Sequence, residues 1–256
     1  MPAKTYCDDA TMAYRASRKI FKSGERIVFD ESYRLAHLPL VNPNHPAVIS
    51  QADGRDYVNG RYEKVRHALV IPIAAEVLQQ SEPFQALDRA MRSARFAPDI
   101  AWEVCERRRS RLHATLASGM AEVDLDRWAA SAREVLDRTG PISVQLKGPF
   151  IGDRNFGRIY LPVYPQQIDG KDPFALLQQS IGVSPKRLYV VGYYHMRCEL
   201  DEVETAELAQ LIDAWRDRVI VETTISHLEM YATNDDLALS ARILARIPAG
   251  YQRIWC

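Results

Sequence analysis

The chain has 256 residues with 33 basic and 33 acidic side chains, a formal net charge of zero, and 47% hydrophobic residues. This composition is typical of a globular protein with a substantial core, and it gives no overall attraction to nucleic acid or to an anionic membrane. The apolar stretches are too short to span a membrane, and the first residues lack the apolar centre of a signal peptide. We therefore expect a cytoplasmic monomer.

The cysteine pattern argues against a disulfide framework or a zinc site. The four cysteines form no C-x-x-C pair and have no zinc-like spacing, so we expect reduced thiols: Cys7, Cys105, Cys198 and Cys256. His195 and Cys198 form an H-x-x-C pair, which alone is not a metal site. We expect no metal and no cofactor.

Residues 1–65 differ in pattern from the rest of the chain. A short helix around residues 10–19 is followed by a stretch with many glycines and prolines, namely Gly24, Pro39, Pro43, Pro46, Gly54 and Gly60. Such density disfavours long regular elements. We therefore predict an irregular N-terminal extension that packs on the core.

From residue 66 two similar series of elements follow one another. The first predicts a strand at 67–74, a helix that Ser81 caps, strands at 101–106 and 110–118, and a helix from Asp124 to Gly140. The second predicts paired strands within 142–165, a helix at 172–182, a strand at 186–200, a helix at 201–215 and strands at 219–233 and 238–250. This order predicts an α+β fold of two antiparallel-sheet lobes, roughly 66–140 and 141–256, with outer helices around a central cleft.

The segment "RLHATLAS" carries the clearest chemical signal. In a strand, His113 and Thr115 point to the same side, so an imidazole and a hydroxyl lie next to each other. An imidazole can move a proton near neutral pH, and a hydroxyl can hold an oxyanion.

The chain resembles the 2H phosphoesterase superfamily, the LigT-like proteins that include RNA 2′,3′-cyclic phosphodiesterases. Each lobe of those proteins carries a histidine, one residue, then Thr or Ser, on a central strand. "LHATLA" matches the first motif, and "YYHMRCEL" occupies the place of the second with His195, although Arg197 replaces the expected hydroxyl. The closing "ISHLEMYAT" is similar to the last strand of the family, so the resemblance covers roughly residues 66–250.

The resemblance implies a bilobal LigT-like fold and a metal-independent hydrolysis of a cyclic phosphate on a nucleotide or an RNA end. His113 and His195 would be the general acid and base, in an order that the sequence leaves open. Thr115 and Arg197 would hold the phosphate oxygens. Strand alternation adds Arg111 and Tyr193 as weaker candidates for binding the rest of the substrate.

Several alternatives remain open at this point. Because Arg197 departs from the motif, the fold could instead serve as a non-catalytic module that binds RNA or nucleotides, or the H-x-T triplet could be a coincidence in an unrelated enzyme. His227 is a rival second histidine, ranked lower because Glu229 would repel a phosphate. A basic run at residues 106–111 is a further candidate, although such a run more often marks a solvated turn. Four tyrosines could line a nucleotide pocket, namely Tyr160, Tyr164, Tyr193 and Tyr194, but strands are rich in tyrosine. Structural roles are expected for three other histidines, His37, His45 and His67.

Overall fold

A single antiparallel sheet organises residues 4–250, the part of the chain that this computed structural model describes. Its strands are β1 (Arg61–Pro72), β2 (His113–Met120), β3 (Ile142–Lys147), β4 (Phe150–Ile151), β5 (Arg158–Pro165), β6 (Val190–His195), β7 (Val219–Ile225), β8 (His227–Asp235) and β9 (Arg242–Pro248). Eight of them follow the order β7-β3-β5-β6-β2-β1-β8-β9, and β4 pairs with β5. Together with the helices, this sheet confirms the predicted α+β class.

The sheet consists of two four-stranded halves that meet between β2 and β6. Ala114 pairs with Val191 at this junction. The stretch predicted as one strand at 219–233 is in fact two strands, separated at Ser226, in opposite halves: β7 pairs with β3 and β8 pairs with β1. Strand β8 therefore lies beside the first strand of the chain, with β9 outside it at the edge of the sheet.

Nine α-helices accompany the sheet in the described residues. They are α1 (Tyr14–Ser17), α2 (Glu31–Ala36), α3 (Leu38–Val41), α4 (Ala75–Gln80), α5 (Glu82–Ser93), α6 (Trp102–Arg108), α7 (Leu125–Thr139), α8 (Pro173–Ser180) and α9 (Glu202–Trp215). The apolar stripes of α5 and α7 are buried in the main core, as their helical spacing predicts. Ser81 caps α5 by accepting from the Phe84 amide, and α7 ends at Gly140, whose φ of 65° suits glycine.

The prediction of a strand at 101–106 is wrong, because this segment forms helix α6. The buried residues Ala101, Val104, Cys105 and Arg108 recur at spacings of three and four, which is the period of one helix face. Glu103 in the first turn and arginines in the last turn complement the helix dipole. In an apolar run this short, the sequence pattern does not distinguish a helix from a buried strand.

The described part of the N-terminal extension packs mainly against β5, β6 and the segments that flank them. The predicted helix at 10–19 shortens to α1, where the hydroxyl of the fully buried Tyr14 lies 2.6 Å from the carbonyl oxygen of Val163 and 2.9 Å from that of Tyr189. In α2, the Tyr33 hydroxyl donates to the Met196 carbonyl at 2.7 Å. These bonds fix α1 and α2 against the sheet.

Membrane crossing and cysteine pairing can be judged for the described residues alone. None of the helices in 4–250 combines the length and apolar character that a membrane crossing requires. Cys7, Cys105 and Cys198 are unpaired, and Cys256 lies outside the described residues.

Candidate functional site

His113 and Thr115 stand together on the wall of a cavity of about 540 Å³. His113 is half-buried and Thr115 is exposed, while Ala114 between them is buried in the core on the opposite face of β2. Tyr231 of β8 and Lys186, which precedes β6, also line this cavity. We call it the His113 cavity. The strand alternation read from the sequence thus places the imidazole and the hydroxyl on one wall.

The hydrogen bond of His113 defines its tautomer. Its Nδ1 lies 2.7 Å from the carbonyl oxygen of Arg111, which can only accept, so the proton is on Nδ1 and Nε2 keeps its lone pair. The ring meets Tyr231 edge-on, with 5.1 Å between the ring centroids. Burial, and to a smaller extent the charges of Arg108 and Arg158, lower the pKa of His113 to about 4. The ring is therefore a neutral base at neutral pH.

A β-bulge in β6 determines where the second predicted histidine points. Ile159 pairs with Tyr194 and Tyr160 pairs with Gly192, which leaves Tyr193 as an extra residue. Both tyrosines face α5: the Tyr193 ring lies 5.2 Å from that of Phe84, and the Tyr194 hydroxyl donates to Asp88.

Beyond the bulge, His195 returns to the face of the sheet that carries His113. Because Ala114 pairs with Val191, His113 lies level with Gly192 on the neighbouring strand, and the bulge puts His195 on the same side as Gly192. The structure thus brings both histidines to one sheet face. Only His113 lines the cavity, however, because His195 is 0% exposed.

His195 belongs to a group of four nitrogen-rich side chains, which we call the basic cluster: Arg108, His37 and His195 are buried and Arg158 is half-buried. Nη1 of Arg108 lies 3.1 Å from Nε2 of His195, and Nη1 of Arg158 lies 3.1 Å from Nε2 of His37. The two imidazoles stack with 6.3 Å between centroids. Since a guanidinium can only donate, each histidine accepts through Nε2 and is neutral.

The charges in the basic cluster are not offset by acidic side chains. In the described part of the chain, no carboxylate oxygen lies within 4.0 Å of Arg108 or Arg158. Burial, together with Arg158, lowers the pKa of Arg108 to about 9. Burial and the two guanidiniums hold the pKa values of His37 and His195 well below the ordinary value.

Arg197 does not lie beside His195 as the sequence suggested. Strand β6 ends at His195, so alternation does not continue to residue 197, and the Arg197 amide donates to the Asp99 carbonyl. Its guanidinium lies 2.5 Å from Glu103 of α6 at the surface. This ion pair removes Arg197 from the set of residues that face His113.

The weaker candidates also lie away from the His113 cavity. The bulge turns Tyr193 toward α5. The Arg111 guanidinium donates to the Ala241 carbonyl and lines a second cavity of about 540 Å³ together with His227. Glu229 lies between His227 and Arg246, at 3.4 Å and 2.9 Å, so His227 faces a carboxylate as anticipated.

Sequence reasoning missed Arg108, Arg158 and Tyr231, and it gave His37 only a structural role. Arg108 lies within the basic run 106–111, a pattern more typical of a solvated turn, yet it is 0% exposed. The tyrosines at 160, 164 and 194 line neither cavity. Within residues 4–250, no group of three or more His, Cys, Asp or Glu side chains could hold a metal ion.

Comparison with known proteins returns similar structures but no similar sequences. No protein-family model and no curated protein matches the chain. TT0787 of Thermus thermophilus aligns with 73% of this chain and 99% of its own, at 11% identity and a TM-score of 0.41. E. coli LigT in its apo form covers 73% and 98% at 13% identity and a TM-score of 0.39, and a structure described as a phosphoesterase covers 73% and 100% at 14% and 0.42. At these TM-scores, the role of each site residue depends on the geometry of this chain alone.

Proposed function

We propose that the chain is a phosphoesterase whose substrate, a cyclic phosphate on a nucleotide or an RNA end, binds in the His113 cavity. The observation that carries this proposal is the bond from His113 Nδ1 to the Arg111 carbonyl. It leaves Nε2 as a free acceptor on the cavity wall, next to the Thr115 hydroxyl. A neutral base beside an oxyanion donor is what hydrolysis at phosphorus requires.

In this reaction, His113 takes a proton from the attacking water through Nε2. The Thr115 hydroxyl donates to a non-bridging phosphate oxygen, and the Lys186 ammonium on the same cavity wall offsets the charge that develops there. Water forms the new P–O bond, and the bond to the sugar oxygen breaks. That oxygen takes its proton from solvent, which reaches the cavity at the exposed Thr115.

This proposal keeps one catalytic histidine of the two that the resemblance implies. His195 is neutral, fully buried and bonded to Arg108, so it neither lines the cavity nor holds the imidazolium proton that a general acid would give. The same observation supports a second candidate function, namely binding of a nucleotide or RNA phosphate without turnover.

The test is turnover of a panel of nucleoside 2′,3′-cyclic phosphates by the wild-type chain and by His113→Ala. We expect the variant to lose about 10²- to 10⁴-fold in kcat/KM, the usual contribution of a general base. In the wild type, kcat/KM rises with pH through an inflection near 4, because only the neutral imidazole is active and the pKa of His113 is about 4.

His227→Ala is the matched control. His227 lines the neighbouring cavity, so this variant should keep the wild-type turnover. Equal turnover by His113→Ala and the wild type would refute the catalytic role. Tight binding of the same phosphates by a folded wild type that forms no product would favour the binding module.

A further inference from the structure

We propose that the basic cluster is a binding site for a tetrahedral oxyanion such as inorganic phosphate, separate from the His113 cavity. This goes beyond the proposed function and does not depend on it. The evidence is a set of buried donors without acceptors, an uncompensated charge, and a guanidinium, that of Arg108, which the backbone fixes in place.

The donors of the cluster outnumber its acceptors. Each histidine accepts from an arginine through Nε2, so each carries its proton on Nδ1. In the described residues, the buried atoms Nδ1 of His37, Nδ1 of His195, Nη2 of Arg108 and Nε of Arg158 have no hydrogen-bond partner. All four are N–H donors. The charged oxygens of a phosphate ion can only accept hydrogen bonds, so they would suit these donors.

The positive charge of the cluster also lacks an internal partner. Asp235 is the acidic residue that acts on Arg108 through space, but its carboxylate already accepts from the Leu239 amide at 2.9 Å and from the Ser240 amide and hydroxyl at 3.0 and 2.6 Å. A guanidinium removed from water without a counter-charge, as in Arg108, is strongly unfavourable, and it gives up its proton reluctantly. A bound anion would supply both the missing negative charge and oxygen acceptors for these donors.

The backbone holds the Arg108 guanidinium at Gly192, and the Arg158 guanidinium lies beside the same glycine. Arg108 donates through Nη1 to the Gly192 carbonyl and through Nε to the Leu237 carbonyl, the latter at 2.8 Å. Arg158 occupies the space next to Gly192 that any larger side chain would fill. A guanidinium fixed in this way loses little conformational entropy on binding, and its planar fork matches the geometry of phosphate oxygens.

The N-terminal extension closes this site. Tyr33 of α2 stacks on His37 with 5.4 Å between centroids and an interplanar angle of 4°, and its hydroxyl is bonded to Met196. An enclosed anion binds the folded chain only, so it raises the melting temperature by an amount that grows with the logarithm of its free concentration divided by its Kd. Phosphate should therefore act on stability even where it does not act on turnover.

The experiment compares thermal unfolding of the purified full chain in sodium phosphate and in sodium chloride at equal ionic strength. It also measures the phosphate and sulfate released when the protein is denatured after purification without these ions. We expect the wild type either to gain several degrees in Tm from phosphate or to release about one anion per chain. Arg158→Met should do neither.

His113→Ala is the control, because it alters the other cavity and should respond to phosphate like the wild type. If Arg158→Met does not fold, His195→Leu removes a neutral donor from the same cluster and gives the same readout. Equal stabilisation of the cluster variant and the wild type would overturn the proposal, as would a wild type with neither a phosphate-specific Tm gain nor a released anion. Because turnover is measured separately, loss of activity in His113→Ala with the phosphate response retained distinguishes the two sites.

Discussion

The His113 cavity and the basic cluster share one face of the sheet, but the histidine in each region uses its two ring nitrogens in opposite ways. The Nδ1–H of His113 donates a hydrogen bond to the Arg111 carbonyl, and Nε2 stays an acceptor toward solvent. His195 uses Nε2 to accept from the Arg108 guanidinium and keeps a buried Nδ1–H as a donor. The hydrogen-bond partner thus decides whether the free nitrogen of a neutral imidazole can accept a proton or can donate a hydrogen bond.

The difference between the two regions comes from what covers the sheet. The wall of the His113 cavity remains open at Thr115, whereas α2 and the residues that follow it close over His195. Both regions feel the same guanidiniums, because Arg108 and Arg158 lower the pKa of His113 as well as that of His195. The cluster therefore helps to keep the half-buried His113 in its neutral form.

Acid gives the largest expected effect on this comparison. The folded pKa values of His37, His113 and His195 lie below the ordinary value of 6.5, so the unfolded chain binds more protons as the pH falls below about 6.5. Their stabilisation is complete above that pH and is lost toward the folded pKa values, by up to about 1.4 kcal/mol per pH unit for each histidine. Urea unfolding between pH 7.5 and 4.5 measures this loss.

His195→Gln should flatten that pH dependence, since it removes one titrating group from the buried set. His227→Gln is the matched control, because the side chain of His227 is 33% exposed and lies beside Glu229. If both variants show the slope of the wild type, burial of His195 does not contribute to acid sensitivity.

A methyl group at position 192 tests the packing of the basic cluster. The Cβ of Gly192→Ala would overlap the Arg158 guanidinium, so we expect a loss of about 1–3 kcal/mol in the free energy of unfolding, the usual cost of overpacking. Gly152→Ala provides the comparison, because its Cβ would come no closer than 3.3 Å to the nearest atom, the Arg154 carbonyl oxygen. Equal stability of the two variants would mean that Arg158 moves aside freely.

The smallest effect is expected at Arg197. Its ion pair with Glu103 is at the surface, with side chains 38% and 53% exposed, so Arg197→Gln should change the free energy of unfolding by about 0–1 kcal/mol. Turnover of cyclic phosphates should stay at the wild-type level. A large fall in turnover would instead place Arg197 on the substrate, as the motif position suggests.

The regular strands and helices around the His113 cavity are well predicted from the sequence. Strand β2 and helices α5 and α7 carry clear periodicity and end signals at Ser81 and Gly140, so their buried faces follow from local spacing. The position of His113 beside Thr115 follows for the same reason, since alternation within one strand is a local property.

The basic cluster cannot be predicted in this way because its contacts are distant in sequence. Arg108 is bonded to Gly192 and Leu237, and Arg158 to His37, so only the folded sheet brings them together. The two-residue period also fails at the bulge, where it predicts Tyr193 and Arg197 on the face of His195. No composition or spacing rule marks that interruption.

The extra residue in β6 links a single codon to the chemistry of the whole sheet. It allows one short strand to present two aromatic rings to a helix and, at the next position, an imidazole to two cations. A gene that lost this codon would reverse that assignment downstream while leaving the amino-acid composition almost unchanged. In this protein, one residue in the length of a strand therefore decides which side chain meets the Arg108 guanidinium.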